Sequence, residues 1–139
     1  MRTQKVSWKA ITSFCNNVIV PTKPDLILGI HRGGVVLATM LSHRLQVPMD
    51  VIYTTRNSKT VKFPRIDIVS TYDKVLLVDD ISDTGKSFEK VQEHLYQYAT
   101  CLRVDTLSYC IKLGTTFIPD VYKRKFKDDV WIIFPWEIQ

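Results

Sequence analysis

Glycine is scarce in this sequence: five residues in a chain of 139, about half of the usual ~7% share. Each is therefore expected where the backbone demands it, and the scarcity excludes collagenous and glycine-rich disordered chains. Cysteine is scarcer still. Cys15, Cys101 and Cys110 form no CxxC spacing, and an odd count argues against a disulfide framework, so a reducing, cytoplasmic compartment and three inert thiols are expected. Apolar runs are short. None approaches the roughly 18 residues of a membrane span, and Met1 to Val20 carries polar residues throughout where a signal peptide needs an apolar stretch. Internal repeats, low-complexity segments and flexible linkers are missing too, which predicts one domain over residues 1–139 with any active site on a single scaffold.

What is present is an ordinary globular composition, 45% apolar and 24% charged, with 19 lysines and arginines against 14 aspartates and glutamates. The resulting +5 suits an anionic small substrate as well as nucleic acid. Ser7 to Val20 places Trp8, Ile11, Phe14, Cys15 and Val18 at helical spacing before Pro21 to Pro24 stop it, so the chain is expected to begin with a helix. Asp25 to Ile30 reads as a buried strand, Gly34 to Leu45 as a helix and Met49 to Thr55 as a strand. Arg56 to Thr71, polar and basic around Pro64, reads as a long loop or mobile hairpin. Lys74 to Val78 is a continuous apolar strand entering two aspartates, followed by a helix from about Thr84 to Ala99 and a strand over Val104 to Ile111. Beyond Gly114 come a less regular region, the basic run Lys123, Arg124, Lys125 and Lys127, and a last apolar segment, Val130 to Phe134. This alternation predicts an α/β fold, a mostly parallel sheet flanked by helices, with ligands beyond the carboxyl ends of the strands. His43, His94, Met40 and Met49 read as structural.

Two loops of that kind stand out. In Asp79-Asp80-Ile81-Ser82-Asp83-Thr84-Gly85-Lys86-Ser87 a buried strand opens into a helix, whose unpaired backbone N–H groups, with the hydroxyls of Thr84 and Ser87, suit a monophosphate. Gly85 would let the backbone approach that phosphate closely. Gly85-Lys86-Ser87 also matches the tail of a nucleoside-triphosphate P-loop, but that motif needs glycine at position 80, where this chain has Asp80. Two carboxylates at a strand end suit diol hydroxyls or a magnesium ion shared with a substrate; the plainer alternative is that Asp79, Asp80 and Asp83 cap the helix. The second loop, Gly29-Ile30-His31-Arg32-Gly33-Gly34, sets glycines beside an arginine, as a diphosphate site requires, or else forms a tight strand-to-helix turn.

Val75 to Ser87 resembles the phosphoribosyl diphosphate (PRPP) binding signature of the type I phosphoribosyltransferases, an apolar strand, two acidic residues and Asp-Thr-Gly. The resemblance runs from about Asp25 to Glu137, with the helix-first N-terminus and His31 as departures. It implies that fold, with a small hood formed by the N- and C-terminal segments. Asp79 and Asp80 would hold the ribose hydroxyls and place Mg2+, and Asp83, Thr84, Gly85, Lys86 and Ser87 would wrap the 5'-phosphate. Arg32 and Gly33 would bind pyrophosphate behind a non-proline cis peptide preceding Arg32, and Arg56 to Thr71 would lie where the family keeps a lid, with Lys59, Lys62 and Arg65 facing pyrophosphate. Lys112 and the stretch Asp129 to Glu137 resemble the purine-binding elements of the xanthine-guanine and hypoxanthine branch. By that likeness Lys112 would donate to a purine 6-oxo group, Trp131 would stack on the ring, the backbone of Ile132 would face the 2-position, and Asp83 would move the purine proton.

The expected activity is magnesium-dependent transfer of the 5-phosphoribosyl group from PRPP to hypoxanthine, guanine or xanthine in purine salvage. A homodimer or homotetramer is implied, with Trp136 a plausible interface residue; no membrane is expected and nucleic acid is not a favoured partner. Two other classes stand beside it. One is a regulator of the same fold that binds PRPP or a nucleotide and uses Lys123 to Lys127 on nucleic acid; the other is a transferase with orotate, uracil or adenine as acceptor. Gly33→Ala and Gly85→Ala are expected to impair PRPP binding before folding.

Overall fold

The structure, a computed structural model, describes residues 1–54, 61–62, 71–98 and 102–138. Most of the segment expected to form a lid, including Lys59 and Arg65, lies outside the described residues, as does Cys101. The chain opens on a strand rather than a helix: β1 (Arg2–Lys5) precedes α1 (Trp8–Asn17). Arg-Thr-Gln-Lys offers no apolar pattern to read, because this short strand is held through its backbone, parallel to β8 (Val130–Ile133) at the other end of the chain. Ser7 caps α1 by accepting the Ala10 N–H at 3.0 Å, and the helix ends at Asn17, before the prolines.

The main sheet has six strands in the order β4-β3-β2-β5-β6-β7. These are β2 (Leu26–His31), β3 (Met49–Thr54), β4 (Val61–Lys62), β5 (Lys74–Ser82), β6 (Arg103–Lys112) and β7 (Arg124–Phe126). All neighbours run parallel except β3 and β4. The helices α2 (Gly33–Leu45) and α3 (Lys86–Tyr98) complete the crossovers. Strand alternation divides the apolar runs between two faces. Ile27, Leu76, Val78 and Leu107 pack with Ile11, Phe14, Leu37 and Leu41 of α1 and α2; Leu28, Ile30, Val75 and Leu77 pack with Phe88, Val91 and Leu95 of α3. The expected α/β architecture is present.

The parallel pair β1 and β8 forms the expected hood. Its aromatic side joins the core: Phe134 stacks on Trp136 at 4.9 Å and meets Tyr109 edge-on at 6.3 Å, and Trp136 packs against Trp8 at 5.9 Å. Trp136, expected at a subunit interface, thus has much of its ring engaged within its own chain, while Trp8 stays half exposed. Chain order reverses at β2, with β3 on one side and β5 on the other, so the carboxyl ends of β2 and β5 flank a crevice where parallel sheets bind ligands.

Candidate functional site

The crevice is built from the two loops singled out above. β5 is longer than the apolar run suggests: it continues through Asp79 and Asp80 to Ser82, with Asp79 in register with Ser108 and Ser82 with Ile111. α3 starts only at Lys86, so Asp79 and Asp80 belong to the strand and do not cap the helix. Asp79 Oδ1 accepts the Asp80 N–H at 2.8 Å. Asp79, Asp80, Asp83, Thr84, Gly85, Lys86 and Ser87 all line one cleft of about 560 Å³, with Lys90 at its margin. Asp83, Thr84 and Lys86 are exposed, and the two strand aspartates are half-buried.

Burial dominates the electrostatics of that pair. Desolvation pushes the Asp79 carboxyl well above the ordinary carboxylate range, and the adjacent Asp80 charge pushes it further. Asp80 is raised as well, by burial first, partly offset by hydrogen bonding from its neighbours; Glu137 of the C-terminal segment adds repulsion. Among the described residues no three histidine, cysteine or acidic side chains cluster as a metal site. Two carboxylates of this kind fit magnesium, which characteristically takes one or two protein carboxylates and completes its shell with water and substrate phosphates.

Gly33 meets Asp80 directly. The His31–Arg32 peptide is cis, as the resemblance implies, and α2 begins at Gly33. A Cβ built on Gly33 would overlap the Asp80 carboxylate, so the turn and the acidic strand end are in contact. Arg32 is exposed at that turn. His31 also is exposed, and its ring lies 4.6 Å from that of Tyr53 on the neighbouring strand.

Lys112 is the last residue of β6 and is buried, which excludes an ordinary solvated lysine. Its Nζ donates to the Val130 carbonyl and, at 3.3 Å, to that of Asp128. It is thereby tied to the segment entering β8, where Ile132 is buried and Trp131 is 56% exposed, so Trp131 is no core residue. Trp131 and Ile132 are not among the residues lining the cleft of the acidic loop; Lys112 reaches their strand through Val130. Asp83 is the link. It also lines a neighbouring cleft of about 510 Å³ with Gly114, Thr116 and Asp128, on the side of the loop that follows Lys112.

Sequence reasoning missed that following loop. Thr116 donates its N–H to the Thr84 carbonyl at 3.0 Å, and Ser82 Oγ donates to the Phe117 carbonyl at 2.7 Å and lies 2.9 Å from Thr115 Oγ1. Phe117 stacks on Phe88 at 5.0 Å. Gly85 has φ +93°, and a Cβ there would lie 2.6 Å from Phe117 N, so this glycine answers a backbone conformation and a tight contact within the fold. Gly85→Ala would accordingly strain folding as well as the cradle, contrary to the expectation for it. No local signal marks these contacts, which join residues about 30 positions apart. Cys15 and Cys110 are buried, and burial raises both thiols, Cys15 to about 11, in keeping with inert side chains. No helix among the described residues is long and apolar enough to cross a membrane.

Known proteins are similar to this chain in sequence and fold. A family model described as phosphoribosyl transferase domain matches residues 7–139. A xanthine-guanine phosphoribosyltransferase of Cereibacter sphaeroides is 31% identical over 120 residues, 81% of this chain and 68% of that protein. The crystal structure of a purine phosphoribosyltransferase from Pyrococcus horikoshii superimposes with a TM-score of 0.84 at 30% identity, covering 100% of this chain and 96% of the other. A xanthine-guanine-hypoxanthine phosphoribosyltransferase of Helicobacter pylori has the same fold, with a TM-score of 0.82 at 20% identity over 99% and 93% of the two chains. With an acidic strand end set against a glycine turn at the sheet's switch point, and a match spanning nearly every residue, the chain belongs to the phosphoribosyltransferase family, in its purine branch.

Proposed function

We propose that the chain transfers the 5-phosphoribosyl group from PRPP to N9 of a 6-oxopurine. The observation that carries this reading is the contact of the Gly33 turn with Asp80 in a crevice whose other wall is the Asp83 to Ser87 loop, because it provides neighbouring places for a diphosphate, a ribose and a 5'-phosphate. Asp79 and Asp80 accept from the ribose hydroxyls. The N–H groups opening α3, with Thr84 and Ser87, hold the 5'-phosphate, and Arg32 answers the charge of the diphosphate. Asp79 and Asp80 would also hold magnesium together with oxygens of the donor, and the ion would supply charge stabilisation for the leaving diphosphate.

The bond from the anomeric carbon to the diphosphate oxygen breaks, its electron pair leaving with diphosphate, and the bond from N9 to that carbon forms. The purine loses one ring N–H proton. Asp83, which lines both clefts, is the group we assign to take it. The buried Lys112 ammonium favours a 6-oxo acceptor over a 6-amino one, and the substrates named in the relatives' descriptions, xanthine and guanine, carry that group. The homodimer or homotetramer remains part of the reading.

The test is release of pyrophosphate from PRPP and magnesium with hypoxanthine, guanine, xanthine, adenine, orotate and uracil in turn. Turnover confined to the first three is expected. No release with any base would refute the reading, and release with adenine or orotate alone would move the acceptor.

A further inference from the structure

The loop after Lys112 touches the phosphate cradle at one peptide unit. Thr116 N–H donates to the Thr84 carbonyl at 3.0 Å, and Thr116 Oγ1 lies 2.9 Å from the same oxygen. That hydroxyl is also 2.6 Å from Glu89 Oε1, so its single proton serves two acceptors. In a trans peptide the carbonyl and the following N–H point in opposite directions. Anchoring the Thr84 carbonyl on the Thr116 side therefore turns the Gly85 N–H to the other side, that of the cleft lined by Asp79 to Phe88 and Lys90. Gly85 itself, at φ +93°, has no steric preference that would hold this orientation.

The anchor is firmly placed. Gly114 N–H donates to Asp128 Oδ1 at 2.9 Å, Thr115 N–H to the Lys112 carbonyl at 3.2 Å, and Ser82 binds both Thr115 and Phe117. Glu89, in the first turn of α3, lines the neighbouring cleft with Thr84 and Lys86, and the Thr116 hydroxyl occupies one of its oxygens, keeping that carboxylate on the Thr116 side of the loop. We propose that Thr116 is a positioning residue for the 5'-phosphate: it aims the Gly85 N–H into the cradle and holds the Glu89 carboxylate aside. The inference rests on the phosphate-cradle part of the proposed function, and ribose 5-phosphate tests it without turnover.

Thr116→Val keeps the shape and the backbone bond and removes the hydroxyl. It should weaken ribose 5-phosphate binding, measured by titration calorimetry, by ~5- to 10-fold, within the usual net worth of one hydrogen bond, since the bond lost is to the cradle's own backbone and not to the ligand. The PRPP KM should rise by the same factor while kcat and the purine KM stay within ~2-fold, and Thr116→Ser should restore the wild-type values. Thermal unfolding of each variant identifies any general loss of structure. Unchanged binding by Thr116→Val, an equal rise in the purine KM, or failure of Thr116→Ser to rescue would overturn the inference, as would a wild-type chain that does not bind ribose 5-phosphate. Wild-type binding of ribose 5-phosphate with no turnover on any base would instead refute the proposed reaction and leave the role of Thr116 standing.

Discussion

Replacing Gly33 by alanine places a methyl group where the Asp80 carboxylate now sits. The added Cβ would overlap Oδ2 and Cγ and lie 2.8 Å from Oδ1. The obstacle is a side chain, so the chain can relieve it by turning Asp80 away from the start of α2. That costs a rotamer change and the carboxylate's favourable place at a helix N-terminus, together about 1–2 kcal/mol. Burial holds Asp80 above its ordinary range, so releasing it toward solvent offsets part of this. The net loss should be near 1 kcal/mol, a fall of roughly 3–5 °C in Tm. Catalysis should suffer more, because Asp80 would no longer meet the ribose hydroxyl: a lost hydrogen bond to a charged group is worth about 1.5–3 kcal/mol, or about 10- to 150-fold in kcat/KM for PRPP. Gly34→Ala is the internal control. Its Cβ would overlap the Val78 carbonyl and lie 2.9 Å from Asp79 Cα, backbone that cannot rotate aside, so overpacking of about 1–3 kcal/mol falls on stability first. Thermal unfolding and steady-state kinetics on both variants separate the cases. If Gly33→Ala kept full PRPP efficiency, or lost more stability than Gly34→Ala, the assignment of Asp80 to the donor would be wrong.

Three further outcomes follow from the same geometry. Asp83→Asn should leave PRPP binding nearly intact and lower turnover by at least ~100-fold, and unchanged turnover would remove Asp83 from the proton path. Trp131→Ala, at an exposed ring, should raise the purine KM with little effect on Tm or on PRPP; equal effects on both substrates would point to a structural role. Asp79 is raised by burial and by Asp80, so its contribution to stability is complete below the ordinary carboxylate range and is lost as pH rises through its raised folded value. Asp79→Asn should therefore have a higher Tm than wild type at neutral pH, the difference closing toward pH 4, while kcat/KM for PRPP falls; a variant less stable than wild type at neutral pH would contradict the sign.

Local sequence carries what the strands and their first turns do. Val75 to Val78 is apolar on both faces because α2 and α3 cover both, and the glycines and aspartates that follow stand where the chain leaves the sheet. Pairing between distant short segments leaves no such trace. β1 has no apolar residue, and β7 is three residues, Arg-Lys-Phe, inside the basic run of the less regular region. The same holds for the brace of Ser82, Thr115, Thr116 and Phe117 around the cradle, whose serine and threonines look like ordinary loop polars until β6 brings them alongside β5. Gly85 shows the difference in one residue: its position was legible, but its reason, a positive φ against Phe117, lies in a partner about 30 positions away.

Lys112 combines these two kinds of information. An ammonium has three N–H donors, and two of them go to the carbonyls of Asp128 and Val130, which hold the segment leading to Trp131 and Ile132. One remains for a ligand oxygen. The group assigned to the purine carbonyl is thus also a fastener of the strand that carries the other residues assigned to the purine, so removing it would take a donor from the Val130 and Asp128 carbonyls and disturb acceptor binding whether or not it touches the acceptor. A kinetic defect in a Lys112 variant cannot by itself assign the contact. The informative change is in the substrate: comparing 6-oxopurines with a purine that lacks a 6-substituent, on the intact chain, interrogates the third N–H while the other two keep their partners.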